Sequence, residues 1–452
     1  MATAETVICG AGLDGASAAY QLAVRHRMPH VVIVDERPPM TLTSDKGTQA
    51  YRNWFDGPDD TMVRFISRSL DVLEELAESS GNTFHLSRHG YAFATADPTM
   101  RDWMRDQARR LESFGAGSVR EHPGAIAYEP VCDESWQGIP DGSDLLLDAA
   151  LVREHYPFLR DDTIAVSHVR RAGWLDAIRL GHWQLEEAVR HGATIVRDRM
   201  IGADTTGGRL HAVQLASGGT ISTGRLVVAA GPGLPNLLGM LETDLPLMLE
   251  LHGKMRFDDR LGVIPRLAPF MIWNDAVGEI DWSPRERSEI ERDPSAHWLL
   301  DSFPGGIHVR PIGPDRDILL IWTFETGTHD YVWPPTFDPR LGDVLLRGLA
   351  HIAPVAAAYV GDGSRGFVDG GYYCKTPENR PLIGPIDIEG VYLCAALSGY
   401  GVMSSPGAGD LVADHVTGAS LPEHAAALSP KRYADPGYRR RLEGWDAKAG
   451  QL

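Results

Sequence analysis

The N-terminal segment constrains the fold of this chain more than any other part of the sequence. Glu5–Cys9 has the pattern of a short buried strand, Gly10–Gly15 has glycines in the spacing GxGxxG, and Ala16–Val24 has the pattern of a helix. A second apolar strand, His30–Val34, ends at the acidic pair Asp35–Glu36. Such glycines let the backbone approach a pyrophosphate, the helix N-terminus offers free N–H groups, and the acid accepts a hydrogen bond from a ribose hydroxyl. The segment therefore predicts a dinucleotide-binding site, and the alternative is a tight strand–helix turn without a ligand.

Length and charge exclude several classes of function. The chain has 452 residues, of which 43% are hydrophobic and 23% charged, as expected for a globular protein large enough for two domains. Its net charge of −18 argues against nucleic acids and anionic membrane surfaces as partners. No run of about eighteen apolar residues is present, so no membrane span is expected. Since no signal-peptide pattern precedes the first strand, we expect a cytoplasmic protein.

The cysteines predict neither a disulfide framework nor a metal site. They are widely separated and form no CxxC pair, and they are Cys9, Cys132, Cys374 and Cys394. Such spacing fits reduced, buried thiols in a cytosolic protein better than it fits zinc ligation.

The rest of the chain alternates between two structural patterns. An amphipathic helix is predicted at Ile178–His191, and Leu226–Gly231 is apolar without alternation, as buried parallel strands are. Between residues 246 and 324 the chain instead contains alternating runs typical of antiparallel strands, such as Ile307–Arg310 and Asp317–Trp322. The chain therefore contains one domain of α/β type and a second domain inserted into it.

Three separated blocks of sequence match one superfamily in the same order along the chain. They are Gly10–Gly15 with its acid, the segment from Gly173–Asp176 to Val227–Gly231, and Thr376–Gly384 followed by Ser398–Gly401. In these blocks the chain resembles the FAD-dependent D-amino-acid oxidase, glycine oxidase and sarcosine oxidase superfamily. The first block is shared with many nucleotide enzymes, including NAD-dependent ones, whereas the last is specific to these flavoproteins.

The resemblance implies an α/β fold in which a Rossmann-like FAD-binding domain is built from three discontinuous segments. A second domain with an antiparallel sheet (α+β) forms the roof over the substrate. The FAD-binding domain is accordingly predicted to comprise residues 1–95, 165–245 and 355–452, and the substrate-binding domain residues 96–164 and 246–354.

The reaction implied by the resemblance is removal of a hydride from the C–N bond of an amine or amino acid, which gives an imine. Reduced FAD then passes its electrons to O2 or to another acceptor. Five of the eleven tryptophans lie between Phe270 and Pro334, which favours a bulky or apolar substrate, although aromatic core packing explains them equally well. The alternatives are an FAD-dependent 2-hydroxy-acid oxidase or dehydrogenase, a flavin-binding subunit of a larger complex without turnover alone, and an NAD-only dehydrogenase.

The same resemblance assigns residues to the cofactor. Asp35 matches the ribose-binding acid, and Glu36 is the neighbour that takes this role in the alternative. Gly399–Val402 precede the last helix, whose N-terminus is expected to stabilise negative charge on the O2–N1 edge of the reduced flavin. The predicted cofactor-binding residues are Gly10, Gly12, Leu13, Asp14, Gly15, Asp35, Glu36, Ser44, Lys46, Gly47, Thr48, Met200, Ala230, Gly231, Gly399, Tyr400, Gly401, Val402 and Met403.

The loop from Ser44 to Arg52 matches the position where the family passes the flavin ring. Lys46 is expected to face the ring with Gly47 and Thr48, and the alternative is a surface lysine in a flexible loop. Arg52 is suited to bind a substrate carboxylate bidentately, and the alternative is that it pairs with one of the 61 acidic residues.

The strand around residue 309 supplies further candidates. His308 and Arg310 share one face of this strand because they are two residues apart. If that face points at the flavin, Arg310 anchors the substrate and His308 is a polar contact; otherwise both lie at the rim. The predicted catalytic residues are Lys46, Arg52, Arg310 and Tyr400, and no general base is evident.

Three features depart from the family pattern. Met403 stands where sarcosine oxidases have a lysine, which puts a carboxylate clamp of that type in doubt. The strand Ile318–Trp322 is apolar where those enzymes have a lysine above the flavin, so a dehydrogenase is an alternative to an oxidase. Cys374 precedes Thr376, but the family's flavin-linking cysteine matches Gly371, so FAD is expected to be bound noncovalently.

Overall fold

The strands of a six-stranded sheet carry the predicted dinucleotide unit. A computed structural model describes residues 2–122, 127–324 and 327–443 of the chain. In spatial order, the strands are Thr194–Arg197, Val31–Asp35, Thr6–Cys9, Leu226–Val228, Val391–Ala395 and Leu382–Pro385. All neighbours are parallel except the last two. The central strands are apolar without alternation because helices and loops cover both faces.

Four helices organise one side of this domain. Leu13–Tyr20 continues into a π-helical turn, Gln21–Arg25, and packs between Ala177–Arg190 and Gly401–Thr417. The long helix Thr61–Ser80 packs against Gly401–Thr417. The glycine turn therefore lies at the C-terminal end of the strand Thr6–Cys9, and the helix that follows it packs against a neighbouring helix on each side.

Local sequence explains where these helices begin and end. The Asp176 side chain accepts a hydrogen bond of 2.9 Å from the Arg179 N–H and so caps the helix that starts at residue 177. Gly81 and Gly418 follow the ends of two helices with φ of 62° and 75°, a left-handed conformation that favours glycine.

A nine-stranded, mainly antiparallel sheet forms the second large element. Its strands, in spatial order, are Phe367–Lys375, Met248–Asp258, Asp317–Trp322, Ile307–Pro311, Phe270–Trp273, Tyr91–Thr95, Ala165–Val169, Ser143–Leu146 and Val119–His122. Two neighbouring pairs within it are parallel, namely Phe270–Trp273 with Tyr91–Thr95 and Val119–His122 with Ser143–Leu146. The antiparallel pairing of 307–311 with 317–322 agrees with the alternating pattern of these two runs.

The nine-stranded sheet includes three strands from segments that we predicted to belong to the FAD-binding domain. Tyr91–Thr95, Ala165–Val169 and Phe367–Lys375 are hydrogen-bonded into it rather than into the six-stranded sheet. Short apolar strands have the same sequence pattern in either sheet, so local sequence does not reveal which partner they take. The division into domains and its boundaries stay a prediction.

Smaller elements complete the description. A four-stranded sheet contains the hairpin around residues 207–208, and Ala50–Arg52 pairs with Ala172–Trp174 inside the segment that the sequence indicated as a loop. The strands of the four-stranded sheet are Ala2–Thr3, Thr220–Ser222, Ala212–Leu215 and Met200–Asp204. The remaining α-helices are Thr43–Lys46, Pro98–Ser113, Ala149–His155, Leu234–Met240, Pro284–Arg292, Leu341–Ile352, Ala425–Leu428 and Pro436–Leu442. Among the described residues, no helix is both long and apolar enough to cross a membrane.

Candidate active site

A long cleft opens where the parallel strands of the six-stranded sheet end. Most of the predicted cofactor-binding residues line it, and the helix that starts at Leu13 directs its N-terminus towards it. Those residues are Gly10, Gly12, Leu13, Asp14, Asp35, Glu36, Ser44, Gly47, Thr48, Met200, Ala230, Gly231, Gly399, Gly401 and Val402. Gly15, Lys46, Tyr400 and Met403 do not line it.

The three glycines of the turn have different roles. A Cβ atom at Gly10 would overlap the Ala229 carbonyl oxygen, and one at Gly15 would overlap the Gly10 carbonyl oxygen. A Cβ atom at Gly12 would meet only the Ser44 hydroxyl, at 3.1 Å, because this residue faces the cleft. The first and third glycines therefore allow the backbone to pack, whereas the second keeps space free for a bound group. This arrangement fits a pyrophosphate.

Asp35 lies at the position expected for the ribose-binding acid. Its carboxylate accepts hydrogen bonds from the backbone N–H of Ala11 (2.7 Å) and Arg37 (2.8 Å). Burial raises the pKa of this carboxyl more than the two amides lower it. Each oxygen retains a lone pair for a hydroxyl of the ligand. Glu36 lies 3.5 Å from Arg199 and is half exposed, so Asp35 is the better candidate.

Asp14 is the one acidic side chain at the helix N-terminus inside the GxGxxG turn. It lines the cleft, and burial raises the pKa of its carboxyl to about 7. The thiols of Cys374 and Cys394 are close enough that the Asp14 charge raises the pKa of both, after burial as the larger cause. Part of the Asp14 population is therefore protonated near neutral pH.

A small cavity, which we call the inner pocket, adjoins one end of the cleft. Its volume is about 70 Å3, and Thr48, Tyr373, Ser398 and Gly399 line both spaces. Its other lining residues are Arg52, Tyr91, His252, Phe270, His308, Ile321, Thr323, Asn379, Tyr400 and Met403. The flavin end of the cleft is expected at this junction, because the segment matched to the flavin edge lies there.

Arg52 contributes a buried positive charge to the inner pocket. Its Nε donates a 2.9 Å hydrogen bond to the Trp54 carbonyl, and its guanidinium lies over the rings of Phe55 (4.8 Å) and Tyr91 (5.4 Å). Burial lowers the pKa of Arg52, and Tyr91 offsets this in part. The aromatic neighbours fix the plane of the guanidinium, as a bidentate carboxylate contact requires.

Arg310 and His308 are both buried, so the rim position considered for them is wrong. His308 lines the inner pocket. Arg310 does not line it, since its Nε and Nη2 donate to the Thr48 carbonyl at 3.1 and 2.7 Å and its guanidinium lies 5.1 Å from the Trp174 ring. Arg310 thus positions the backbone of Thr48, and the structure does not place it as the substrate anchor.

Lys46 is turned away from the cleft that it was predicted to line. Its Nζ lies 2.7 Å from Asp369 and 3.1 Å from Asp45. Lys254, which the sequence did not single out, donates instead to the carbonyls of Asp45 (3.0 Å) and Gly47 (2.9 Å). Burial lowers the pKa of Lys254 to about 8. Lys254 reaches this loop from the nine-stranded sheet, a proximity that local sequence does not encode.

Tyr400 and Met403 line the inner pocket rather than the cleft. The Tyr400 hydroxyl donates to the Asn379 carbonyl, and its ring meets Phe55 edge-on at 5.1 Å. Burial raises the pKa of the Tyr400 hydroxyl, so it stays neutral. Tyr400 therefore forms a wall of the pocket and has no proton to exchange at physiological pH.

A buried cluster of charged residues borders the inner pocket and was missed by sequence reasoning. Lys375 Nζ lies 2.9 Å from Glu250 Oε1, and Glu250 Oε2 lies 3.0 Å from His252 Nε2. His252 stacks on Tyr373 with 4.3 Å between ring centroids. The available signal was the spacing of Glu250 and His252, because polar residues two apart on a strand share one face.

A wider cavity, the outer groove, adjoins the inner pocket. It has a volume of about 810 Å3, and His252 and Thr323 line both cavities. Its aromatic wall consists of Trp298, Phe303, Trp322, Phe324, Phe337 and Tyr372. The outer groove therefore lies next to the inner pocket and has room for a bulky group.

The chain is similar to known proteins over most of its length. The model of the DAO family, described as FAD dependent oxidoreductase, matches residues 5–415. The chain is 24% identical over 459 residues to the tRNA 5-methylaminomethyl-2-thiouridine biosynthesis bifunctional protein MnmC of Paracidovorax citrulli (strain AAC00-1), with 94% of this chain covered. The match spans only 60% of that relative's length.

Solved structures of similar shape cover nearly the whole chain. L-proline dehydrogenase from P. horikoshii superimposes with a TM-score of 0.71 at 20% identity, over 96% of this chain and 98% of that one. Iminodiacetate oxidase from Chelativorans sp. BNC1 gives 0.69 at 20% identity, over 94% and 98%. The predicted fold class, a Rossmann-like domain combined with an antiparallel-sheet domain, is confirmed.

Proposed function

Because the chain belongs to the DAO family of FAD-dependent oxidoreductases, we propose that it oxidises the C–N bond of an amine-bearing carboxylic acid to an imine. The family assignment also confirms FAD as the cofactor and the chain as an enzyme. When bound, FAD would supply the chemistry of hydride acceptance. The residues of this chain bind it through the glycine turn, the helix N-terminus and Asp35, and they leave the inner pocket for the substrate.

The observation that carries the proposal is the buried Arg52 guanidinium in a small pocket at the end of the cofactor cleft. A buried cation attracts an anion into the pocket because its charge is weakly screened there, so the attraction offsets the solvation that the anion loses. A carboxylate held there brings an amine-bearing carbon to the junction of pocket and cleft. The small volume admits the amino-acid core, and the aromatic outer groove accepts a bulky or apolar remainder.

The names of the structural neighbours support this substrate class. L-proline and iminodiacetate are both carboxylic acids with an amine on the adjacent carbon, and glycine, the substrate named for a third neighbour, is the smallest of the kind. Electrons leave the reduced cofactor to O2 or another acceptor. The apolar strand 318–322 contributes Ile321 to the pocket and offers no cation for O2 chemistry.

The test is turnover of matched substrates by the purified, FAD-loaded chain. Glycine, sarcosine, L-proline, D-proline and iminodiacetate are compared with glycolate and L-lactate, and both dye reduction and peroxide formation are followed. Turnover of an amine above its hydroxy analogue is expected. Faster oxidation of glycolate than of glycine would favour the 2-hydroxy-acid alternative. A fully FAD-loaded chain that oxidises none of them would instead point to a subunit of a larger complex.

A further inference from the structure

The Glu250–His252–Lys375 cluster, defined above, lies at the wall between the inner pocket and the outer groove. All three side chains are almost fully buried, with 3–4% of their surface exposed. Burial of this many charged groups is costly unless they compensate each other. Burial alone raises the pKa of Glu250, but the hydrogen bonds from His252 and Lys375 outweigh it and leave that pKa below its usual value. Glu250 is therefore a carboxylate.

The ionised state of Glu250 determines which nitrogen of His252 carries hydrogen. A carboxylate only accepts hydrogen bonds, so His252 Nε2, at 3.0 Å, carries the proton that it donates to Glu250. The lone pair of the neutral ring is then on Nδ1. Within residues 2–122, 127–324 and 327–443, no protein group is hydrogen-bonded to Nδ1. A base with one nitrogen held by a carboxylate and the other free is the arrangement that proton transfer requires.

His308 is the other histidine of the inner pocket and has a different environment. Its Nδ1 bonds to the Gly306 carbonyl at 2.6 Å, and no carboxylate of the described residues is hydrogen-bonded to its ring. Burial, with Arg52 and His252 as smaller causes, lowers the pKa of His308 to about 4. His308 is therefore the natural comparison residue.

Other charged and titratable groups line the two cavities that His252 separates. Apart from Glu250, they are Lys375 and Tyr373 on the neighbouring strand, His308, Arg52, Tyr91 and Tyr400 in the inner pocket, and His329, Asp301, Asp330, Asp338 and Tyr372 in the outer groove. Among the described residues, Glu250 is the carboxylate that is hydrogen-bonded to the ring of His252.

We propose that His252 is the base that takes a proton from the substrate ammonium, with Glu250 and Lys375 as positioning residues. An ammonium has no lone pair to assist departure of a hydride from the adjacent carbon, so it must first become a neutral amine. The substrate N–H bond breaks, its electron pair stays on nitrogen, and a new N–H bond forms at His252 Nδ1. The resulting imidazolium faces Glu250, and its proton leaves through the outer groove. This inference rests on the proposed function.

The test compares pH profiles of kcat/KM for the amine that the substrate panel identifies. His252→Gln retains a hydrogen bond to Glu250 but accepts no proton. Its kcat/KM is expected to fall on the order of 100-fold at pH 7. The deficit should shrink as pH rises, because the substrate then loses its proton to solvent unaided. In His252→Ala, added imidazole should restore the rate in proportion to its neutral form. A uniform loss at every pH without rescue would overturn the proposal.

Further variants distinguish a role of His252 in proton transfer from an effect on folding. His308→Gln should keep the shape of the pH profile, whatever its rate, whereas loss of the ascending limb there would assign the base to His308 instead. Glu250→Gln should move the ascending limb to lower pH because the imidazolium loses its partner. If that variant is unstable because Lys375 stays buried and charged, the double variant Glu250→Gln with Lys375→Met removes both charges. Its ascending limb is expected to move to lower pH in the same way.

A binding measurement distinguishes failure of this proposal from failure of the proposed function. Benzoate serves as a carboxylate probe, and its affinity for the FAD-loaded chain is followed through the flavin spectrum as a function of pH. Affinity should fall with rising pH in the parent chain and stay level in His252→Gln. A chain that oxidises no amine yet shows this contrast would refute the proposed function alone. A level profile in the parent chain would refute the role of His252.

Discussion

The cofactor cleft and the inner pocket adjoin each other but are built in different ways. At one end of the cleft the site is formed by backbone groups, namely the glycine turn, the helix N-terminus and the two amides that bind Asp35. The inner pocket is formed by side chains from strands far apart in sequence, among them Arg52, His252 and His308. Backbone geometry follows from short local patterns, whereas a pocket wall depends on how distant strands pair. Binding of the cofactor and choice of substrate should therefore be separable by mutation.

The largest effect is expected from a substitution that disrupts cofactor binding in the cleft and leaves the inner pocket unchanged. Gly12→Val should abolish FAD binding while leaving the fold intact, because the new side chain projects into the cleft and meets only the Ser44 hydroxyl. Gly15→Val should instead destabilise the fold, since its Cβ overlaps the Gly10 carbonyl. FAD titration by fluorescence and thermal unfolding of the apoprotein distinguish the two. Gly224→Ala, with no neighbour within 4 Å, is the matched control. Stoichiometric FAD in Gly12→Val would contradict the placement of the pyrophosphate.

The second prediction concerns a substitution that affects the inner pocket and leaves the cleft unchanged. Arg52→Met should lower kcat/KM for the best amino-acid substrate on the order of 100-fold, since a buried carboxylate would lose its charged partner. FAD affinity should be unchanged because Arg52 does not line the cleft. Arg64→Met removes an exposed arginine and is the control. An equal loss for a substrate amine that lacks a carboxylate would show that Arg52 supports the pocket and does not bind the anion.

The contrast between the two regions also explains which features could be predicted from the sequence and which could not. The strand, glycine turn and helix around residues 6–20, and the helix near 177–190, follow from apolar spacing and capping, which act within a few residues. Lys46 was favoured because it is near the flavin loop in sequence, yet Lys254 binds the carbonyls of that loop from another strand. Arg310 is predicted as a substrate anchor because it shares a strand face with His308, but its guanidinium donates to the Thr48 carbonyl instead. In both cases a side chain contacts a loop that is far away in the sequence.

The third prediction concerns a charge inside the cleft. The raised pKa of Asp14, about 7, means that its carboxyl is protonated below that pH and ionised above it. An ionised carboxylate and a pyrophosphate in one cleft repel each other, so FAD binding should favour the protonated form. The dissociation constant of FAD should be level below pH 7 and rise by up to about tenfold per pH unit above it. Asp14→Asn should bind FAD with a level profile. A level profile in the parent chain as well would exclude Asp14 from the pyrophosphate region.

The smallest expected effect tests how FAD is held in the cleft. Cys374 lines the cleft, but burial raises the pKa of its thiol to about 12, so almost no thiolate is present to attack a flavin. At the position that matches the family's flavin-linking cysteine, Gly371 packs its backbone against Lys46 and offers no nucleophile. After acid precipitation, the flavin should stay in the supernatant for both the parent chain and Cys374→Ser. Flavin retained in the parent pellet and lost from the Cys374→Ser pellet would show a covalent bond to the cofactor in addition to the noncovalent contacts of the cleft.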